Sequence, residues 1–204
     1  IRDDLVTGVQ TCALPISANL FGVSMKGLTG EASTFINKME TLLGIDPTEA
    51  MNNMATIQGL TTSFGMASDK AYVLSKNLTQ LGYDLASLKN IPVAESFTKI
   101  QAAISGELEP IRRLGVDLSQ ARLQQELLNF GYSQSVSSLS QADKAVLRYI
   151  AIMKQTTDAQ GDFARTLSSP ANMIRILQAQ LNSLARSVGS LLYQIGRASC
   201  RERV

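Results

Sequence analysis

Seventeen Asp and Glu side chains, two cysteines and no histidine set the chemistry open to this 204-residue chain. Without imidazole there is no Ser-His or Cys-His nucleophile, no imidazole zinc site and no ordinary side chain that titrates near neutral pH. Paired carboxylates remain as a general acid and base. Glu107 and Glu109 are close in sequence, but Glu109 lies three and four residues before Arg112 and Arg113, the spacing of an ion pair along one helix face. Asp158 and Asp162, four apart beside Gly161, would suit a cation. No oxygen-rich loop of the calcium type surrounds them, however, and Arg165 is placed to neutralise Asp162. Gly59 and Gly65 are too scattered to cradle a phosphate, and neither a Walker lysine nor a dinucleotide fingerprint is present. Lys144 and Arg148, like charges four apart, read as a solvated face. The sequence therefore assigns no catalytic, cofactor-binding or metal-ligating residue, and no enzyme is expected.

Composition narrows the remaining classes. Charged residues make up 18%, below the usual quarter, and small polar residues and alanine fill the difference. Such a surface suits packing against protein better than gripping phosphate. Aromatics interleaved with Lys and Arg, as single-strand binders need, are lacking, so no sequence-specific nucleic-acid partner is expected. The best apolar run, Ala145 to Met153, falls well short of the ~20 residues of a membrane span and is interrupted by Arg148.

The two ends differ from the middle. VTGVQTCALPIS and IGRASCRERV resemble translated adapter sequence from short-read DNA sequencing, and neither carries the periodicity of its neighbours. Residues 1–17 and 195–204 are accordingly expected to be foreign and disordered. Both cysteines, Cys12 and Cys200, fall in these ends, so a disulfide or metal reading from cysteine count lapses. The ends also carry half of the overall net charge of +2, leaving no basic patch in residues 18–194.

The elements of that central part are helical. Asp46-Pro47 reads as a cap and first-turn proline, followed by Ala50, Met54, Ile57 and Leu60 at three- to four-residue steps. Ser68 is the expected cap of the next helix, whose stripe is Ala71, Leu74, Leu78, Leu81, Leu85 and Leu88. Asn90 and Pro92 separate it from a face of Phe97, Ile100, Ala103 and Ile104, closed by Gly106. Pro110 and Gly115 punctuate a single turn. Ser119 then caps a helix through Leu123, Leu127 and Phe130 to Gly131. After a Ser/Gln stretch, a possible sub-boundary near 132–139, Ser140 opens a helix with Ala142, Ala145, Val146, Tyr149, Ile152 and Met153 on one side. Gly161 breaks the chain, and Ser169-Pro170 restarts it along Ile174, Leu177, Leu181, Leu184, Val188 and Leu191. The expected architecture is all-α: six or seven amphipathic helices joined by short Gly/Pro turns and packed as an irregular bundle. Met39, Met51, Met54 and Met66, spread over the early helices, either fill core gaps or line an adaptable groove.

GELEPIRRLGVDLS (Gly106 to Ser119) and LSQADKAVLRYIAIMKQTTDAQGDFARTLSSPANMIRILQAQLNSL (Leu139 to Leu184) resemble the tail tape measure protein of long-tailed bacteriophages and prophages. LSKNLTQLGYDLASLKNIPVAESFTKIQAAISGE (Leu74 to Glu107) is similar to the same family. The resemblance spans roughly residues 35–193 and implies an internal fragment of a structural protein. It implies a place in the virion tail lumen, a role in setting tail length and templating tube assembly, and a set of partners. These are further copies of the chain, the tail-tube protein, tail assembly chaperones and tail-tip proteins. The turn-rich stretches 90–131 and 161–170 fit a compact module better than an unbroken ruler. The alternative is a soluble helical adaptor that binds an amphipathic partner helix through the methionine-bearing face.

Overall fold

A computed structural model describes the backbone of residues 26–201 and the side chains of residues 30–186, 188 and 189. The described residues form nine α-helices and no strand. In order they are α1 (Lys26–Leu43), α2 (Pro47–Ser63), α3 (Ser68–Leu88), α4 (Val93–Ser105), α5 (Glu109–Arg112), α6 (Gln120–Asn129), α7 (Gln141–Gln155), α8 (Asp162–Arg165) and α9 (Pro170–Arg201), with a 3-10 turn at Val136–Ser138. The all-α class is as the periodicity predicts. Seven helices are long, and α5 and α8 are single turns of four residues.

The bundle is arranged around α3, which touches α1, α2, α4, α7 and α8. Its stripe explains the position: Leu74, Leu78, Leu81 and Leu85 are all buried, on the repeat that aligns one face of a helix. Facing it are Ala50, Met54 and Ile57 of α2 and Phe97, Ile100 and Ile104 of α4. Helices α3 and α4 approach closely at Gly82. A methyl group there would lie 2.6 Å from the Phe97 ring, and Ser96 Oγ donates to the Gly82 carbonyl at 2.8 Å. Tyr83 meets Phe97 and Phe163 edge-on, with centroids 5.3 and 6.1 Å apart, so one ring joins α3, α4 and α8.

The helix ends follow local chemistry. Asp46 accepts the Thr48 and Glu49 N–H groups and opens α2. Ser119 and Ser140 cap α6 and α7, while Gly106 closes α4 in the left-handed conformation. Ser68 does not cap α3: it occupies the first helical position, and the residue before it, Ala67, offers no side-chain acceptor. The 132–139 stretch packs on its neighbours. Val136 is buried, its N–H bonds Gln124 Oε1 at 3.0 Å, and the core runs without a break from Ala32 to Phe163. At the other end α9 is helical to Arg201, past the expected limit near 194. Over 195–201, expected to be disordered, the backbone is helical. Residues 1–25 and 202–204, including the expected disorder of 1–17, lie outside the described residues.

Two buried carboxylates tie elements together. Asp84 on α3 accepts the Gly161 N–H at 2.9 Å and the Phe163 N–H at 3.1 Å. Burial outweighs these bonds and raises its pKa from the usual carboxylate value. Glu126 on α6 is gripped by Lys154 of α7 at 2.7 Å and by Arg122 at 2.9 Å. The hydrogen bond from Lys154 is the main reason its pKa is lowered.

Asp84→Ala orphans two backbone donors and is expected to cost about 2–5 kcal/mol in chemical denaturation, with Asp84→Asn, which keeps one acceptor, losing about half of that. A native proton affinity below the unfolded one stabilises at neutral pH, so the Glu126 contribution is complete above the unfolded glutamate value of about 4.3 and fades as pH falls through the lowered native value. Glu126→Gln should therefore lose about 1–2 kcal/mol at pH 7. In acid denaturation its deficit relative to the parent chain should shrink below that value; a constant deficit would contradict the assignment.

Candidate interaction surface

Helix α9 carries the unusual chemistry of this molecule, and it starts from a polar knot. Ser169 Oγ accepts the Asn172 N–H, and Pro170 occupies the first helical turn. Asn172 is buried; its Nδ2 donates to Ser87 Oγ at 2.8 Å and to Thr166 Oγ1 at 2.9 Å. Ser87 in turn donates to Asp162 Oδ2 at 2.6 Å. Arg175 donates to Asn172 Oδ1 at 2.6 Å and to the Ala86 and Ile91 carbonyls, each at 3.2 Å, and burial draws its pKa down. These bonds hold Arg175 against the C-terminal end of α3, where the Ala86 carbonyl also accepts the Ile91 N–H.

Further along, Ile176 lies against Gly44. That glycine has φ +63°, and a methyl group there would sit 2.7 Å from Ile176 Cγ2, so the site needs glycine for both conformation and space. Arg186 reaches Asp46, whose other oxygen caps α2. Asn172, Arg175, Ile176, Ala179, Ser183 and Arg186 therefore form the side of α9 turned toward the body. Most of that side is polar or small.

The apolar side is turned away. Ile174, Leu177, Leu181, Leu184 and Val188 recur at steps of three and four, and all are exposed, from 47% at Val188 to 60% at Leu184. Met173 continues the patch at its N-terminal end. A helix packed on a domain ordinarily puts such a stripe inward; here the pattern is inverted. A contiguous apolar strip of this length marks an interaction surface. Two grooves accompany it. One of about 550 Å³ runs between α9 and the α3–α4 turn, lined by Ile91, Val93, Ile174 and Gln178 among others. Another of about 340 Å³, between α6 and α7, is lined by Leu127, Phe130, Tyr132, Leu139 and Val146.

The residues singled out by spacing are placed as follows. Glu109 pairs with Arg112 on the exposed face of α5. Asp162 faces Ser87 rather than Asp158 and has Arg165 at 3.7 Å. Among the described residues no group of three or more His, Cys, Asp or Glu side chains could hold a metal ion, and no helix is long and apolar enough to cross a membrane. Met39, Met54 and Met66 are buried in the core and Met51 is half-buried against it, so the early methionines pack on the core. Arg148 is not on a solvated face: half-buried, it donates from Nη1 to the Ile104 carbonyl at 2.9 Å and completes the end of α4, whereas Lys144 reaches the Ser137 carbonyl at 3.2 Å. Cys12 lies outside the described residues, and Cys200 falls in the last turn of α9. No protein-family model, curated protein or solved structure matches this chain.

The anchors of α9 should be separable by hydrogen exchange. Arg186→Ala breaks a partly exposed pair worth up to about 1 kcal/mol and is expected to speed exchange only near the Asp46 contact. Asn172→Ala leaves several buried groups without partners and should loosen the whole α8–α9 junction by about 2 kcal/mol. In both variants the amides in the middle of α3 should remain as protected as in the parent chain.

Proposed function

We propose that this chain is a helical module of the tail tape measure protein of a long-tailed phage or prophage, housed in the tail lumen and acting by binding protein rather than by catalysis. The observation that carries the reading is the outward apolar face of α9 on an otherwise packed domain, which suits a part built to meet neighbours. The strings from Leu74 to Leu184 that resemble the family supply the particular identity, and they coincide with the packed helices α3 to α8 and the first half of α9. The partners in this reading are further copies of the chain, the tail-tube protein, assembly chaperones and tail-tip proteins. The adaptor reading has less support, because the methionine-bearing face it relied on is core.

A ruler converts residues to distance at ~1.5 Å each only where the helix runs unbroken. Helices α1 to α8 fold back on α3, so this module adds little length for the residues it contains. Among the described helices only α9, with 32 residues, is long enough to act as a rod, spanning ~48 Å if straight.

Deleting the block from Glu107 to Leu139 in the complete reading frame, followed by electron microscopy of the phage, tests this. Tails of normal length that are poorly assembled or non-infective support a compact module. Tails shortened by ~1.5 Å for each deleted residue would contradict it. A short free-standing gene, far from tail-tube and tail-tip genes, would overturn the tape measure reading altogether.

A further inference from the structure

We propose that α9 is a strap with one fixed end and one releasable end: it pivots about the polar knot at Asn172 and Arg175, and the Arg186–Asp46 ion pair is the latch that holds its far part down. The two ends are built differently. At the pivot Asn172 is buried and bonds Ser87 and Thr166, and Arg175 reaches the Ala86 and Ile91 carbonyls. Eleven residues beyond Arg175, ~16 Å along a helix, Arg186 reaches Asp46 with its own side chain half exposed. Water and salt have access to that pair, so it is easily weakened. Asp46 uses Oδ1 to cap α2 and Oδ2 to hold Arg186, so opening the latch leaves the cap in place.

Packing beneath the strap is loose. Grooves of about 550 and 390 Å³ run along its two sides, toward the α3–α4 and α1–α2 turns. Between them lies a crevice of about 40 Å³, lined on the body by Ile45, Tyr83, Val93 and Phe163 and on α9 by Arg175, Ile176 and Ala179. A helix seated by a continuous apolar seam opens only with its domain, whereas one seated by separate anchors opens locally. No glycine or proline falls between Ala171 and Val188, so this part of α9 moves as a rod and does not bend. Tilting about the knot displaces Leu184 far more than Met173. It widens the crevice over Ile45 and Val93 and carries the outer ridge away from the domain, so the latch sets how far that ridge stands off.

This device goes beyond the reading of the chain as a tail module and does not rest on it. Dipolar distance measurements between two spin labels on the full chain, also carrying Cys12→Ser and Cys200→Ser, test it. With labels on Asn37→Cys and Leu184→Cys, both exposed positions, the expected result is a main distance from the docked helix and a minor, different one. The minor population should rise about 3- to 5-fold in ~1 M salt, and equally with Arg186→Gln, after which salt should have no further effect. A label on Met173→Cys in place of position 184 should scarcely move, and a pair within the body, Asn37→Cys with Ser105→Cys, should not move at all. One distance under every condition, or a second one indifferent to both salt and Arg186→Gln, would overturn the latch. A shift at 173 as large as at 184 would overturn the pivot, and a shift in the body pair would mean that the whole domain loosens and no strap exists.

Discussion

The carboxylate of Asp84 meets two backbone N–H groups, those of Gly161 and Phe163, and the direction of the last helix depends on that contact. A buried charge is tolerable only where donors converge on it, and a buried backbone donor is tolerable only where an acceptor waits. Each side of the contact meets the other's need. Because Asp84 sits one turn before the end of the central helix, the turn between α7 and α9 is held against the C-terminal part of α3. Phe163 is thereby set beside Tyr83, and Asp162 beside Ser87. From there Asn172 and Arg175 hold the first turns of α9 to the end of α3.

This geometry explains why the stripe of α9 is outside. Had the helix been placed by hydrophobic burial alone, Ile174, Leu177, Leu181 and Leu184 would face the core. Instead the polar knot at residues 162–175, the Ile176 contact with Gly44 and the Arg186–Asp46 pair commit the opposite side to the body. Each polar anchor is modest by itself. Together they select one rotation of the helix, and the apolar residues must then find a partner elsewhere. A domain shaped in this way presents an ordered, greasy ridge to another protein. That is the physical basis on which a scaffold role is preferred to catalysis.

Much of the bundle was legible from spacing. The stripes of α2, α3 and α4 are buried where the periodicity put them, except that Leu60 is half-buried and Leu88, at the end of α3, is exposed, and Asp46, Ser119, Ser140, Gly106 and Gly161 punctuate the chain as their chemistry suggests. Spacing was less reliable for charged side chains. Arg148 resembles a solvated cation beside Lys144, yet it closes the end of a helix 44 residues earlier in the chain. Asp84 gave no signal at all, because a carboxylate within a leucine-rich helix looks like any surface residue until the loop that crosses it is known. The stripe of α9 was visible as a pattern but not as a surface. Periodicity says which residues share a face and is silent about what that face meets.

The sequence by itself determined that the chain is helical, where most helices begin and end, and which residues line each apolar side, since these follow from local capping and from a 3.6-residue repeat. Only the tertiary structure decided which sides are covered. The reason is that covering depends on contacts between residues far apart in the chain, Asp84 with Gly161 and Asp46 with Arg186, whose donors and acceptors carry no mark of their partners until folding brings them together.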